Sequence, residues 1–362
     1  MKKRLSTNGK KYTILDVAEY AGVSVSVVSN VLNHPEKVAH QTSLAVHKAM
    51  QKLEWIPNIR RRGPKNSSRL GVKTGNLALL MMPSVPTHIF MNRPTNTELI
   101  YSLIHEANQL GFNLTIIDAD PTIFFDANLL ARLYDGVLFY GRPPSQKGLT
   151  CLSEIAKLLP SIWIHRKTEI PVPINCDYFY YDNREVGSIA EAFFYKKDLK
   201  DVSLFTVSSS HVEYMERIAS FEEAAKKDHI ATQVFSPETV AIEKTTDGSK
   251  IPYWNIYHAL ATAFLETGKS KSLFFCSDDA LLGICNELRN LNVNLSDYQL
   301  LSCNNNHYLL QYFQHQPASI DICFPKVGAE AIHYLLQIIN RKIIPSQKET
   351  LIHPVISDNE NT

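Results

Sequence analysis

Two groups of residues in this sequence are of types that could do chemistry. The first lies near the start: Thr13, Ser24, Ser26, Ser29 and Asn30, hydroxyls and one amide set among small apolar residues. Hydroxyls at helix starts suit phosphate oxygens, and an amide one turn along suits the edge of a base. The second group is Arg217 and Asp278, which follow the apolar runs VSLFTV (202–207) and SLFFC (272–276). Such runs read as buried strands, and open α/β sheets place ligands at strand ends. A guanidinium and a carboxylate facing a cleft bind hydroxyls by charged, often bidentate hydrogen bonds. Plainer readings stand beside these. Ser26 and Asn30 are also ordinary polar positions on an exposed helix, and Asp278 is also a natural helix N-cap or half of a surface ion pair.

Enzymatic patterns are missing. The chain has no phosphate-cradling Gly-rich loop, no nucleophile elbow and no H-E-x-x-H pair. Its 13 histidines offer no metal spacing, and His211-x-Glu213 reads as surface, so neither metal nor cofactor is expected. Six cysteines without a Cys-x-x-Cys pair read as reduced thiols in a cytosol. No apolar run approaches the roughly 18–20 residues of a membrane helix, and no apolar segment follows the basic start. The net charge of +1 conceals an asymmetry: residues 1–69 carry 13 basic against 4 acidic side chains, so the remainder carries −8. A basic head on an acidic body fits a polyanion-binding module joined to a regulatory or catalytic one.

The elements that must position these residues follow from periodicity. Thr13 with Asp16 resembles a capping box before Ile14, Val17, Ala18 and Ala21 at helical spacing. Gly22-Val23 breaks that helix, and Ser24 can cap a second one through Val25, Val28 and Leu32, ending near Asn33. Val25, Ser26 and Asn30 then share one side. A third helix is expected to bury Leu44, Ala45, Met50 and Leu53, stopped by Pro57. Two short helices, a Gly-containing turn and a third helix make a helix-turn-helix head. Residues 58–76 are polar and basic, a linker. Beyond them, runs at 77–82, 114–118, 136–140, 161–164 and 299–303 join the two above as strands, and amphipathic stretches alternate with them. That alternation implies parallel sheets covered on both faces, and about 280 residues of it implies two lobes.

These residues resemble the LacI/GalR family of transcriptional repressors. The match rests on TILDVAEYAGVSVSVVSNVLN, Val38, Thr42 and WIPN at 55–58, and more weakly on Asp182-Asn183, Gly187, Arg217, Ser277-Asp278-Asp279-Ala280 and Gly328. The resemblance implies an all-α three-helix DNA-binding head (1–57), a linker (58–76) and a periplasmic-binding-protein-like α/β body (77–357). Lobe 1 would hold about 77–182 and 304–322, and lobe 2 about 183–303 and 323–357. It implies a cytoplasmic, nucleoid-associated homodimer that binds an operator and closes on a small effector, a carbohydrate. The DNA-facing set is then Thr13, Ser24, Val25, Ser26, Ser29, Asn30 and Asn33. Departures are informative. Asn30 stands where the family has Arg. Arg61 and Pro64 replace the helical hinge, leaving Arg61 and Arg62 on an extended strip suited to a narrow minor groove. His165-Arg166 and Ser302-Cys303-Asn304-Asn305 replace acid-containing motifs, so Arg166 and Asn304 join Arg217 and Asp278 as effector candidates. A vestigial cleft answering to a protein partner or to nothing, or a sugar-processing enzyme with a DNA-binding head, are the rival readings.

Overall fold

The computed structural model describes residues 12–33, 37–53, 55, 71–82, 94–118, 126–141, 146–166, 170, 174–208, 211–240 and 253–357. The chain divides into two units, Met1–Arg62 and Gly63–Thr362.

The first unit has three helices: α1 (Ile14–Ala21), α2 (Val25–Asn33) and α3 (His40–Lys52). The Thr13 backbone N–H and hydroxyl both donate to the Asp16 carboxylate, at 2.6 and 2.7 Å, which ties down the start of α1. Gly22 ends α1 in the left-handed region (φ 66°), where a side chain would be strained. The Val27 N–H then bonds Ser24 Oγ at 3.3 Å and starts α2. Val17, Ala18, Val28, Val31, Val46 and Ala49 form the core. Leu44 corrects the expected face of α3: it is 47% exposed, and Val46 and Ala49 take the inner stripe.

The second unit holds two six-stranded sheets. The chain runs β1 (Asn76–Met82), α4 (Pro94–Gln109), β2 (Asn113–Asp118), α5 (Ala127–Leu133), β3 (Gly136–Gly141), α6 (Gln146–Leu158), β4 (Ser161–Ile164) and β5 (Asp177–Tyr181). It continues through α7 (Asn183–Lys196), β6 (Asp201–Phe205), α8 (Val212–Lys227), β7 (Ala231–Phe235), α9 (Tyr253–Thr267), β8 (Ser272–Phe275), α10 (Asp278–Asn290) and β9 (Gln299–Cys303). Last come α11 (His307–Leu310), β10 (Ala318–Asp321), α12 (Phe324–Ile339), β11 (Glu349–Ile352) and β12 (Val355–Ser357). The sheet orders are β11-β5-β4-β3-β1-β2 and β12-β10-β9-β8-β6-β7. All pairings are parallel except β12 against β10. Separate apolar clusters cover both faces of each sheet.

The chain crosses between lobes three times, after β5, after β10 and after β11, and this corrects the expected lobe division. β10 pairs with β9 and so belongs to the second lobe, not the first. α12 packs on α4, β3, β4 and β5, and β11 extends the first sheet beside β5, so both belong to the first lobe. Strand pairing, which brings together residues 349–352 and 178–181, carries no local sequence mark.

Candidate functional site

In the head, Ser26 and Asn30 are exposed on one side of α2. Val25 turns partly inward and packs on the head's core, so the three do not share one face. Ser24 Oγ lies 2.8 Å from Ser26 Oγ, and the Thr13 hydroxyl is taken up by Asp16. Ser29 is half-buried. Asn33 ends α2, but its side chain, Arg61 and Arg62 lie outside the described residues.

In the body, a cleft of about 140 Å³ opens between the lobes at the C-terminal ends of the strands. Its aromatic wall comes from both lobes and from the crossings. Tyr180 and Tyr181, at the end of β5, stack with centroids 4.3 Å apart, and Phe324, at the start of α12, meets Tyr181 edge-on at 5.1 Å. His165 stacks on Tyr180 at 6.0 Å, and Tyr140 donates to Asn96 Oδ1 at 2.6 Å. From the second lobe, α8 presents Glu213, Tyr214 and Arg217, with His211 just before it. Glu213 and Arg217 lie one turn apart and so share a face.

Arg217 lines the cleft as expected, but it is buried and largely committed. Nε donates to Asn183 Oδ1 (2.9 Å), Nη1 to the Cys276 carbonyl and to Asn304 Oδ1 (3.3 Å), and Nη2 to the Tyr181 hydroxyl (3.3 Å). Gly187 makes this seat possible. A Cβ there would stand 2.0 Å from Ser220 Oγ and 2.2 Å from the Arg217 carbonyl oxygen, so only glycine lets α7 approach α8 and bring Asn183 to the guanidinium. Asn304 also lines the cleft, with φ of 107°, which Asn tolerates better than most residues.

The other two effector candidates lie elsewhere. Asp278 is absent from the lining. Its carboxylate accepts from Ser302 Oγ, Ser319 Oγ (2.9 Å) and the Asn306 N–H (2.6 Å), fastening the turn after β9. Ser277, not Asp278, caps α10. Burial pushes the Asp278 carboxyl up to about 7, against those three donors. Arg166 is buried behind the wall and bridges the lobes, to Glu216 on α8 at 3.2 Å and to Glu349 on β11 at 3.1 Å.

His211 and Glu213, read from sequence as surface, line the cleft at and just after the start of α8. Burial raises the Glu213 carboxyl, but its own backbone N–H, His211, Arg217 and His165 outweigh that and hold it below its ordinary value. Sequence reasoning also missed Asn96, Tyr140, Tyr180, Tyr181, Tyr214 and Phe324. The run DYFYY at 177–181 was an available signal, four aromatics at a strand end. Burial pushes Cys276, just past β8, and Cys303, at the end of β9, up to about 12, which leaves them poor nucleophiles.

A basic three-helix head followed in the chain by a two-lobed α/β body defines the class of DNA-binding transcriptional regulators. Residues 13–58 match the family described as "Bacterial regulatory proteins, lacI family". The chain is 22% identical over 352 residues to the HTH-type transcriptional regulator RegA of Clostridium saccharobutylicum, covering 95% of this chain and 97% of that one. It is 44% identical over 172 residues to the lactose operon repressor of Escherichia coli, covering 45% of this chain and 43% of that protein. A match to the HTH-type transcriptional regulator DegA of Bacillus subtilis, 31% identical over 151 residues, spans 40% of this chain and 41% of the relative. Among solved structures, the Lac repressor dimer bound to operator and the anti-inducer ONPF superposes with a TM-score of 0.63 at 17% identity, over 96% of this chain and 98% of that one. The complex of the transcriptional regulator CelR with cellobiose gives 0.60 at 17%, over 97% and 100%. Residues 13–58 therefore form a lacI-family head, and over nearly its whole length the chain is similar to an HTH-type transcriptional regulator. Among the described residues, no single helix is long and apolar enough to cross a membrane.

Proposed function

We propose that this regulator is a cytoplasmic homodimer that reads a two-fold operator, and that a small hydroxylated molecule of the carbohydrate class in the interlobe cleft sets its affinity for DNA. The cleft itself carries this reading. Stacked aromatic faces meet the apolar faces of a sugar ring, while Asn96, Asn304, His165, His211 and Glu213 offer donors and acceptors to its hydroxyls. The cleft is bounded by both lobes, so a ligand that favours one lobe arrangement biases the spacing of the two heads, and DNA affinity follows by linkage. No bond is made or broken.

On DNA, Ser26 and Asn30 meet base edges, with Val25 at their margin. Thr13, Ser24, Ser29 and Asn33 hold phosphates, and Arg61 and Arg62 enter the minor groove between half-sites. The test is selection of an operator from random DNA by the full chain, followed by titration of that complex with a sugar panel. A sugar that changes operator affinity supports the proposal. A protein that binds DNA and never responds supports a second reading, a silent cleft, which draws on the internal commitment of Arg217.

A further inference from the structure

Arg217 carries a permanent positive charge into the cleft floor, with 1% of its surface exposed. Every acceptor it bonds is neutral: an asparagine oxygen at Asn183 and Asn304, a backbone carbonyl at Cys276, and the Tyr181 hydroxyl. It makes no ion pair among the described residues. The faces of Tyr181 and Tyr214, 5.6 and 5.7 Å from the guanidinium carbon, offset part of the charge. Among the described residues, Glu213 is the only carboxylate in the lining, one turn away. Its oxygens accept from Tyr180 at 3.2 Å and face His211 at 3.9 Å, not Arg217. A buried cation held only by dipoles is an incomplete pair, because buried charges are ordinarily paired as well as hydrogen-bonded.

We propose that the ligand of this cleft bears an acid group, as a sugar carboxylate or a sugar phosphate does, and that this group seats on Arg217. The proposal rests on the effector reading above and narrows it. One Nη2 N–H has no acceptor among the described residues, and the Nη1 bond to Asn304 is long at 3.3 Å. Two ligand oxygens can take these positions, the planar fork matching carboxylate or phosphate alike. Asn183 and the Cys276 carbonyl keep the guanidinium in place meanwhile. The hydroxylated part then lies toward the aromatic wall, where Asn96 and the histidines bond it.

The test has two arms, both on the full chain. The first measures thermal shift and affinity at fixed ionic strength for matched sets: glucose, glucuronate and glucose 6-phosphate, and the corresponding galactose series. At least one acid is expected to bind about thirtyfold or more tightly than its neutral parent, and the carboxylate and phosphate members separate the two sources. The second arm needs no ligand. Asn304→Asp places a carboxylate beside Nη1 with no change of shape, at a φ that Asp also tolerates. The unliganded variant is expected to melt a few degrees higher and to lose the acid response. Neutral sugars as effective as the acids overturn the proposal and leave the effector reading standing. A variant that melts no higher than wild type also overturns it. Silence of the whole panel overturns it and counts against the effector reading too.

Discussion

Replacing Asp278 separates a strut from a ligand contact. Asp278→Ala removes the acceptor for Ser302, Ser319 and the Asn306 N–H, whose residues are 0%, 1% and 2% exposed. The stranded backbone N–H costs about 1–3 kcal/mol, and the two hydroxyls about 1 kcal/mol each, so the variant should lose about 3–5 kcal/mol. Asp278→Asn keeps an oxygen for the Asn306 N–H and turns its amide toward the serine oxygens, and should cost far less. Acidity adds a second signature. Burial raises the folded carboxyl from 3.8 to about 7, so the proton binds the folded state more tightly. Its stabilisation is fully present below the unfolded value and is lost as pH rises through the folded one. Between about pH 5 and pH 8 that loss is about 3 kcal/mol. The assay is urea unfolding of wild type and both variants across that range, reading the body's transition. Groups shared by all three proteins cancel in the difference, so Asp278→Asn should gain on wild type as pH rises. Parallel pH profiles for wild type and Asp278→Asn, or an Asp278→Ala variant of wild-type stability that ignores effector, would refute the strut.

Three further outcomes are expected. Asn matches adenine N6 and N7 where Arg matches guanine O6 and N7, so Asn30→Arg should move one base pair per half-site from A·T toward G·C by about 1–3 kcal/mol, read by selection from randomised DNA. Arg61→Ala/Arg62→Ala should weaken binding mainly to operators with A·T centres at fixed salt, whereas equal losses on A·T and G·C centres would mean phosphate contact alone. Gly187→Ala should cost about 1–3 kcal/mol by forcing α7 off α8, and effector response should fall with stability as Asn183 leaves Arg217, measured by thermal melting beside effector titration.

The head was legible from sequence because its order is local. Thr13 and Asp16, Gly22 and Ser24 act within one turn, and the apolar spacing of α1 and α2 marks their inner stripes. Even there, Leu44 shows the limit: a stripe on a helix is read correctly only when its partner surface is known. The buried strands at 77–82, 136–140, 161–164 and 272–276 were likewise evident as short apolar runs, since both faces of each sheet are covered. Other strands were not. β7, β10, β11 and β12 are short, and their pairing depends on segments far away in the chain. Arg217 could be picked out by its place after a strand, but its partners, Asn183, Cys276 and Asn304, come from segments 34 to 87 positions away and converge only when the second lobe folds. The same folding sends Asp278 under the sheet as a strut and turns His211 and Glu213 into the cleft. A residue's type limits what chemistry it can do. Burial and neighbours choose among those chemistries, and in this protein the choice is made by contacts between residues tens to hundreds of positions apart.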